Sequence, residues 1–170
     1  MRLAHKLAAL FIAGVGSIAI AAEPTAKLPV AWGEANEGIQ LSVAAEPSVI
    51  KPGGKLMLYL WAKNLTSQEL KFDAWPPTTD DSTLIVVDPD GKEKSFQFWA
   101  DQTIDLLVLS PGERELRSFD ATQYIGEWVF DPKGPPGRQE LIPKKVLRGV
   151  YRISWKLHNT FSNIAEVRVK

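Results

Sequence analysis

Cysteine is absent from this 170-residue chain. That removes disulfide staples, thiolate metal sites, cysteine nucleophiles and redox motifs together, so core packing alone must hold the fold. Histidine is nearly absent too, with only His5 and His158. A Ser-His-Asp triad or a multi-histidine metal site in the folded part would have to run through His158, which sits at the wet end of a strand pattern without a visible partner. No excess of positive charge exists either: 20 Lys and Arg balance 20 Asp and Glu. The basic stripe of a nucleic-acid binder is missing, since Lys144, Lys145 and Arg148 are too small a cluster. No apolar run reaches the ~20 residues of a spanning helix.

The longest apolar run lies at the start. Met1–Lys6 is short and basic, and Leu7–Ala22 ends in Ala19-Ile20-Ala21, the small-x-small pattern of a signal-peptidase site. The reading is a signal peptide over residues 1–21, cleaved on export to the periplasm or beyond, with no membrane span afterwards. Its loss removes Arg2 and Lys6 and leaves 18 basic against 20 acidic residues. Residues 22–37 carry Pro24 and Pro29 without periodicity and read as a flexible lead-in.

Residues 38–170 read as one domain organised around Lys55–Leu65. Leu56, Leu58, Leu60 and Ala62 share one face of that strand, and Met57, Tyr59 and Trp61 the other. Apolar residues on both faces predict an interior strand whose aliphatic side lines a core. Gly38–Ala44, Glu69–Ala74, Thr83–Asp88, Lys92–Phe98, Ile104–Leu109, Arg114–Phe119, Gly149–His158 and Ile164–Val169 continue the pattern. Turn signals part them, chiefly Lys51-Pro52-Gly53-Gly54, Asp88-Pro89-Asp90-Gly91 and Ser110-Pro111-Gly112-Glu113. Asn64-Leu65-Thr66 matches a glycosylation sequon but reads as turn chemistry. Eight or nine strands spaced this way predict an all-β fold, an immunoglobulin-like β-sandwich of antiparallel strands. Tyr151, just past Gly149, falls where such sandwiches place a corner tyrosine. Residues 120–145 form one long, proline-rich irregular stretch, and such loops are often functional.

Several pieces together carry a resemblance: Leu56–Asn64 with Gln68-Glu69-Leu70-Lys71, Ile85–Lys92, Leu109-Ser110-Pro111-Gly112-Glu113, and Gly149-Val150-Tyr151-Arg152-Ile153. Their order resembles secreted bacterial immunoglobulin-like domains, and more narrowly the BsuPI-type proteinase inhibitor domain. The resemblance implies a sandwich fold and inhibition of a protease. The export signal and the insertion over Trp128–Pro143 depart from that pattern.

Candidate site residues come from the aromatic and loop content. Six tryptophans are present. Trp61 and Trp155 fit strand positions and read as structural, whereas Trp75, Trp99 and Trp128 near loops are candidates for stacking on a polysaccharide. Lys133 and Arg138, in the proline-stiffened Pro132–Pro143 segment, are candidate anchors for docking into a serine-type protease. Asp80, Asp81, Asp88 and Asp90 have calcium-compatible chemistry but the spacing of tight turns, so neither a metal nor any other cofactor is expected. No paired carboxylates or nucleophile–base motif points to an enzyme. The expectation is a non-catalytic module that binds a protein partner, with protease inhibition and polysaccharide binding as alternatives.

Overall fold

The computed structural model describes residues 31–75, 82–96, 105–130 and 141–170. These are almost entirely β-structure. The segments are β1 (Ile39–Glu46), β2 (Val49–Ile50), β3 (Met57–Asn64), β4 (Leu70–Trp75), β5 (Ser82–Val87), β6 (Glu93–Phe96) and β7 (Asp105–Leu109). After them come β8 (Arg114–Asp120), a 3-10 turn at Thr122–Tyr124, β9 (Glu127–Phe130), β10 (Leu141–Lys145), β11 (Gly149–Leu157), β12 (Thr160–Phe161) and β13 (Ala165–Val169). Nine of these thirteen have five residues or more. The remaining four are short pieces of two or four residues, below the length at which alternation can be read.

One layer has the order β1-β3-β8, and the other β2-β13-β11-β5-β6 with β12 paired to β11. The pairings are antiparallel except for a parallel one between β2 and β13. Two two-stranded antiparallel pairs, β4-β7 and β9-β10, complete the described strands. As its pattern predicts, β3 is interior, flanked by β1 and β8. Its aliphatic face, Leu56, Leu58, Leu60 and Ala62, is buried against Ile153, Trp155, Leu84 and Val167 of the opposite layer in one core cluster. Both tryptophans read as structural are buried, Trp155 in the core and Trp61 on the other face of β3. Among the described residues no helix is long and apolar enough to cross a membrane.

Three local results depend on side chains rather than on the ladder. The Asp88 carboxylate accepts the Asp90 and Lys92 N–H groups at 3.0 and 2.9 Å, closing the β5–β6 turn with Gly91 at φ +82. Tyr151 makes the corner, its hydroxyl oxygen accepting the Leu147 N–H at 3.0 Å. Ser42, on the face of β1 opposite Leu41 and Val43, is fully buried and donates to the Ala31 carbonyl. Residues 31–37 lie along β1: Gly33 N–H donates to the Leu41 carbonyl at 2.8 Å, and a Cβ on Gly33 would stand 2.2 Å from the Phe161 carbonyl oxygen.

The outer edge of β1 is closed by a side chain. Asn163 accepts the Val43 N–H at 2.8 Å and donates to the Val43 carbonyl at 3.0 Å, imitating one residue of a neighbouring strand. An unpaired edge is a template for aggregation, so this amide both stabilises and protects. Asn163→Ala strips two backbone partners, and we expect a loss of about 2 kcal/mol. Denaturant unfolding measures that loss, and hydrogen exchange at Val43 should quicken with it. Unchanged exchange would show the edge to be covered by something else.

Candidate functional site

Backbone capping builds the site. The Asp120 carboxylate accepts hydrogen bonds from both the backbone N–H and the hydroxyl of Thr122. That bonding holds its pKa below the ordinary carboxylate value, the hydroxyl bond contributing most. The Thr122 hydroxyl in turn accepts the Leu56 N–H at 2.9 Å, and the Ala121 N–H donates to the Leu56 carbonyl. The 3-10 turn is thereby fixed to the entrance of β3. It sinks Ile125 into the core and sets Tyr124 beside Trp128 of the next strand in one groove wall.

Tyr124 is the first of these rings. Its centroid lies 5.0 Å from that of Phe96 on β6 and 6.3 Å from that of Phe119 on β8, so it bridges the end strands of both layers. Burial pushes its pKa up to about 12, partly opposed by the Gln123 amide that donates to its oxygen at 2.8 Å. The phenol is therefore neutral across the whole physiological range. Trp128 on β9 is the second, half-buried, with its indole N–H donating to the Ile125 carbonyl at 3.0 Å. That bond fixes the ring plane before any ligand arrives.

Gly126 lets β9 leave the turn. Its φ is +98, and a Cβ there would stand 2.6 Å from the Lys145 carbonyl oxygen and 2.9 Å from the Val146 side chain. The tight approach seats β10 against β9 and presents Lys144 and Lys145. A shallow groove of about 600 Å³ results, lined by Phe96, Tyr124, Trp128, Lys94, Glu127 and Lys144 among others. Beside it lies a second, partly open pocket of about 200 Å³, which shares Lys94, Tyr124, Gly126 and Glu127 with it. Val86, Leu147 and Tyr151 also line that pocket, together with Asp88, Asp90, Lys92 and Lys145.

The sequence candidates fall unevenly on this geometry. Trp128 lies in the groove wall. Trp99, Lys133, Arg138, Asp80 and Asp81 lie outside the described residues, as do the signal segment and most of Pro132–Pro143. The backbone of Trp75 is the last residue of β4, and its side chain is outside the described part. Asp88 is committed to its own turn, and among the described residues no three acidic or histidine groups converge as a cation site. His158 is exposed at φ +50 beside the Phe72 ring, 5.5 Å between centroids. Seven residues of extended strand part it from Tyr151, about 23 Å. Tyr124, Phe96 and Lys94 were not singled out by sequence, and Lys144 was named there only within a basic cluster too small to bind nucleic acid. The one local signal for them is Asp120-Ala121-Thr122, a capping pattern that marks the turn where the groove begins.

No protein-family model matches the chain, and no curated protein matches it. Solved structures with a related backbone include the alkylpurine DNA glycosylase AlkC of Pseudomonas fluorescens, bound to DNA containing an abasic site analog. It is 13% identical, over 80% of this chain and 31% of that one, at a TM-score of 0.48. A β-glucosidase from Listeria innocua matches at 12% identity over 81% and 17%, TM-score 0.46. A β-glucosidase from Erythrobacter marinus matches at 16% over 82% and 15%, TM-score 0.45. The chain spans less than a third of each of these proteins.

Proposed function

We propose that this chain is an exported, non-catalytic binding module that recognises a protein partner along the groove between β6 and β9. The observation that carries the reading is the wall of Phe96, Tyr124 and Trp128, rigid before binding and bordered by lysines. Aromatic residues dominate the energetic centres of protein interfaces because they bury large areas at little conformational cost. Here the hydrogen bond to Ile125 and the ring contacts of Tyr124 have already fixed those side chains. Preorganisation of this kind lowers the entropy lost on association. The charges around the groove are mixed, Lys94 and Lys144 with Glu127, which suits the polar rim of a protein interface. The basic start and apolar run of residues 1–21 support the export part of the reading.

Photo-crosslinking in the producing cell tests this. A photoreactive residue at Gln123, beside the groove, should trap one specific partner, and the same residue at Glu166 on β13 should not. Trp128→Ala should weaken the purified complex by about 2 kcal/mol, roughly thirtyfold, with the fold unchanged by circular dichroism. Crosslinks of equal yield from both positions, or an affinity that ignores Trp128→Ala, would sink the reading.

A further inference from the structure

The layer β1-β3-β8 has two edges, and the chain treats them differently. The β1 edge is closed at Val43 by the Asn163 amide. At the other end, β8 pairs only with β3 among the described strands. The Asn64 N–H donates to the Glu113 carbonyl and the Ala121 N–H to the Leu56 carbonyl, and both bonds fit one unbroken register. Odd-numbered residues of β8 therefore bond to β3, and even-numbered ones turn their N–H and carbonyl groups outward. Those of Arg114, Leu116 and Ser118 have no partner among the described residues, and all three residues are exposed. Seven residues without proline, glycine or bulge offer a template for another strand. At the end of the other layer, β6 has only four.

The side chains along that edge decide which strand fits it. Directly paired residues share a face, so Glu115 and Arg117, opposite Ala62 and Leu60, lie on the inner side of the layer. They are half-buried and form an ion pair with each other. Charges turned inward at an edge deter most strands. A second copy of β8 running antiparallel is the exception. Centred on Leu116, it sets each Glu115 against Arg117 of the other copy, making two opposite-charge pairs. Centring on Glu115 or on Arg117 would instead set like charges directly opposite, which is destabilising. The Leu116 register also bonds the outward groups of Arg114, Leu116 and Ser118 to those of Ser118, Leu116 and Arg114 in the other copy. On the outer face Leu116 stands opposite Trp61 of its own sheet, so the pairing aligns Trp61, both Leu116 side chains and the second Trp61 in one apolar row. Leu116, 36% exposed in the single chain, is covered by it.

We infer that β8 is a self-association edge, through which two copies of this chain pair about a two-fold axis at Leu116 and join their three-stranded layers into one sheet. A two-fold contact must be complementary to itself, and Glu115-Leu116-Arg117 meets that condition when set against its own reverse. A contact made by one edge is small, so the dissociation constant should be about 10–100 µM. None of the groove residues belongs to β8, so this inference stands apart from the groove.

Sedimentation velocity of the purified chain, from about 1 to 500 µM, measures the association. A shift from monomer to dimer is expected across that range, and hydrogen exchange at the Leu116 and Ser118 amides should slow as the dimer forms. Glu115→Arg and Arg117→Glu should each weaken the dimer at least about tenfold, because each alone sets like charges opposite one another. Mixed in equal amounts, the two variants should associate nearly as tightly as the parent, since the mixed pair restores both opposite-charge contacts. Circular dichroism checks that each variant keeps its fold. Should either lose it, Leu116→Lys at its exposed position sets two ammonium groups at the axis and should weaken association as much. A parent that stays monomeric at the highest concentration overturns the inference and leaves the inward charges as a guard on the edge. A dimer whose Leu116 and Ser118 amides exchange at the monomer's rate overturns it in favour of another surface. Folded variants that fail to complement each other, or a Leu116→Lys chain that dimerises like the parent, overturn it too.

Discussion

Trp155→Ala is expected to cost about 4 kcal/mol, a large share of the stability of a domain this size. The indole is 1% exposed at the centre of the cluster joining β11 to β3 and β5. Its removal opens a cavity that packed neighbours refill only in part. It also takes the N–H that the Ser82 hydroxyl accepts at 3.1 Å, where Ser82 is itself fully buried. Trp155→Phe separates the two effects, since a ring stays and the donor goes; about 2 kcal/mol is expected there. The backbone contribution survives both changes, because the Trp155 N–H donates to the Ser162 hydroxyl and the Trp155 carbonyl accepts the Ser162 N–H. Urea unfolding of parent and both variants measures the losses. An alanine variant within about 1 kcal/mol of the parent would mean that this core is looser than its burial implies.

The core was legible in the sequence because a strand's period of two is written locally. Leu56, Leu58, Leu60 and Ala62 announce their shared face within seven residues, and so do Tyr151, Ile153, Trp155 and Leu157. The corner tyrosine was legible for a similar reason, since the acceptor Tyr151 and the donor Leu147 stand only four residues apart. The burial of Ser42 was not, because its partner carbonyl at Ala31 belongs to a segment without periodicity. Groove formation was illegible for the same physical cause. Phe96, Tyr124, Trp128 and Lys144 come from four separate pieces, and β6 and β9 have four residues each, too few to show a pattern. Trp128 was picked out as a loop tryptophan, yet it stands in a strand opposite Pro143. Sequence identified the residue type and missed the surface that makes it useful.

Asn64 provides the second large effect. It is fully buried at the end of β3, and both ends of its amide are engaged. Nδ2 donates to the Gln68 carbonyl at 2.7 Å and the Leu109 carbonyl at 3.0 Å, tying the β3–β4 turn to β7. Oδ1 accepts the Thr66 N–H and the Thr66 hydroxyl, each at 2.8 Å. The sequon Asn64-Leu65-Thr66 is thus a side-chain-closed turn, as its Asn and Thr lead one to expect, and the nitrogen that a glycan would need is already committed. Asn64→Ala removes the side-chain donor to the buried Leu109 carbonyl and one of two donors to the Gln68 carbonyl, and leaves the Thr66 N–H without its acceptor, so we expect about 3 kcal/mol of destabilisation. Asn64→Asp is the sharper variant, because it keeps the shape and reverses the polarity of one end. Two carbonyl oxygens would then face a carboxylate oxygen, so the ionised form is disfavoured in the fold and the carboxyl pKa rises above its unfolded value of about 3.9. A group with a raised folded-state pKa destabilises once it must ionise, so the penalty should be small near pH 3.5 and grow as pH rises toward 7. Unfolding midpoints of Asn64→Asp relative to the parent, taken at both pH values, give the sign. A gap between variant and parent that does not widen with pH would show that the Nδ2 bonds contribute little to holding this turn against β7.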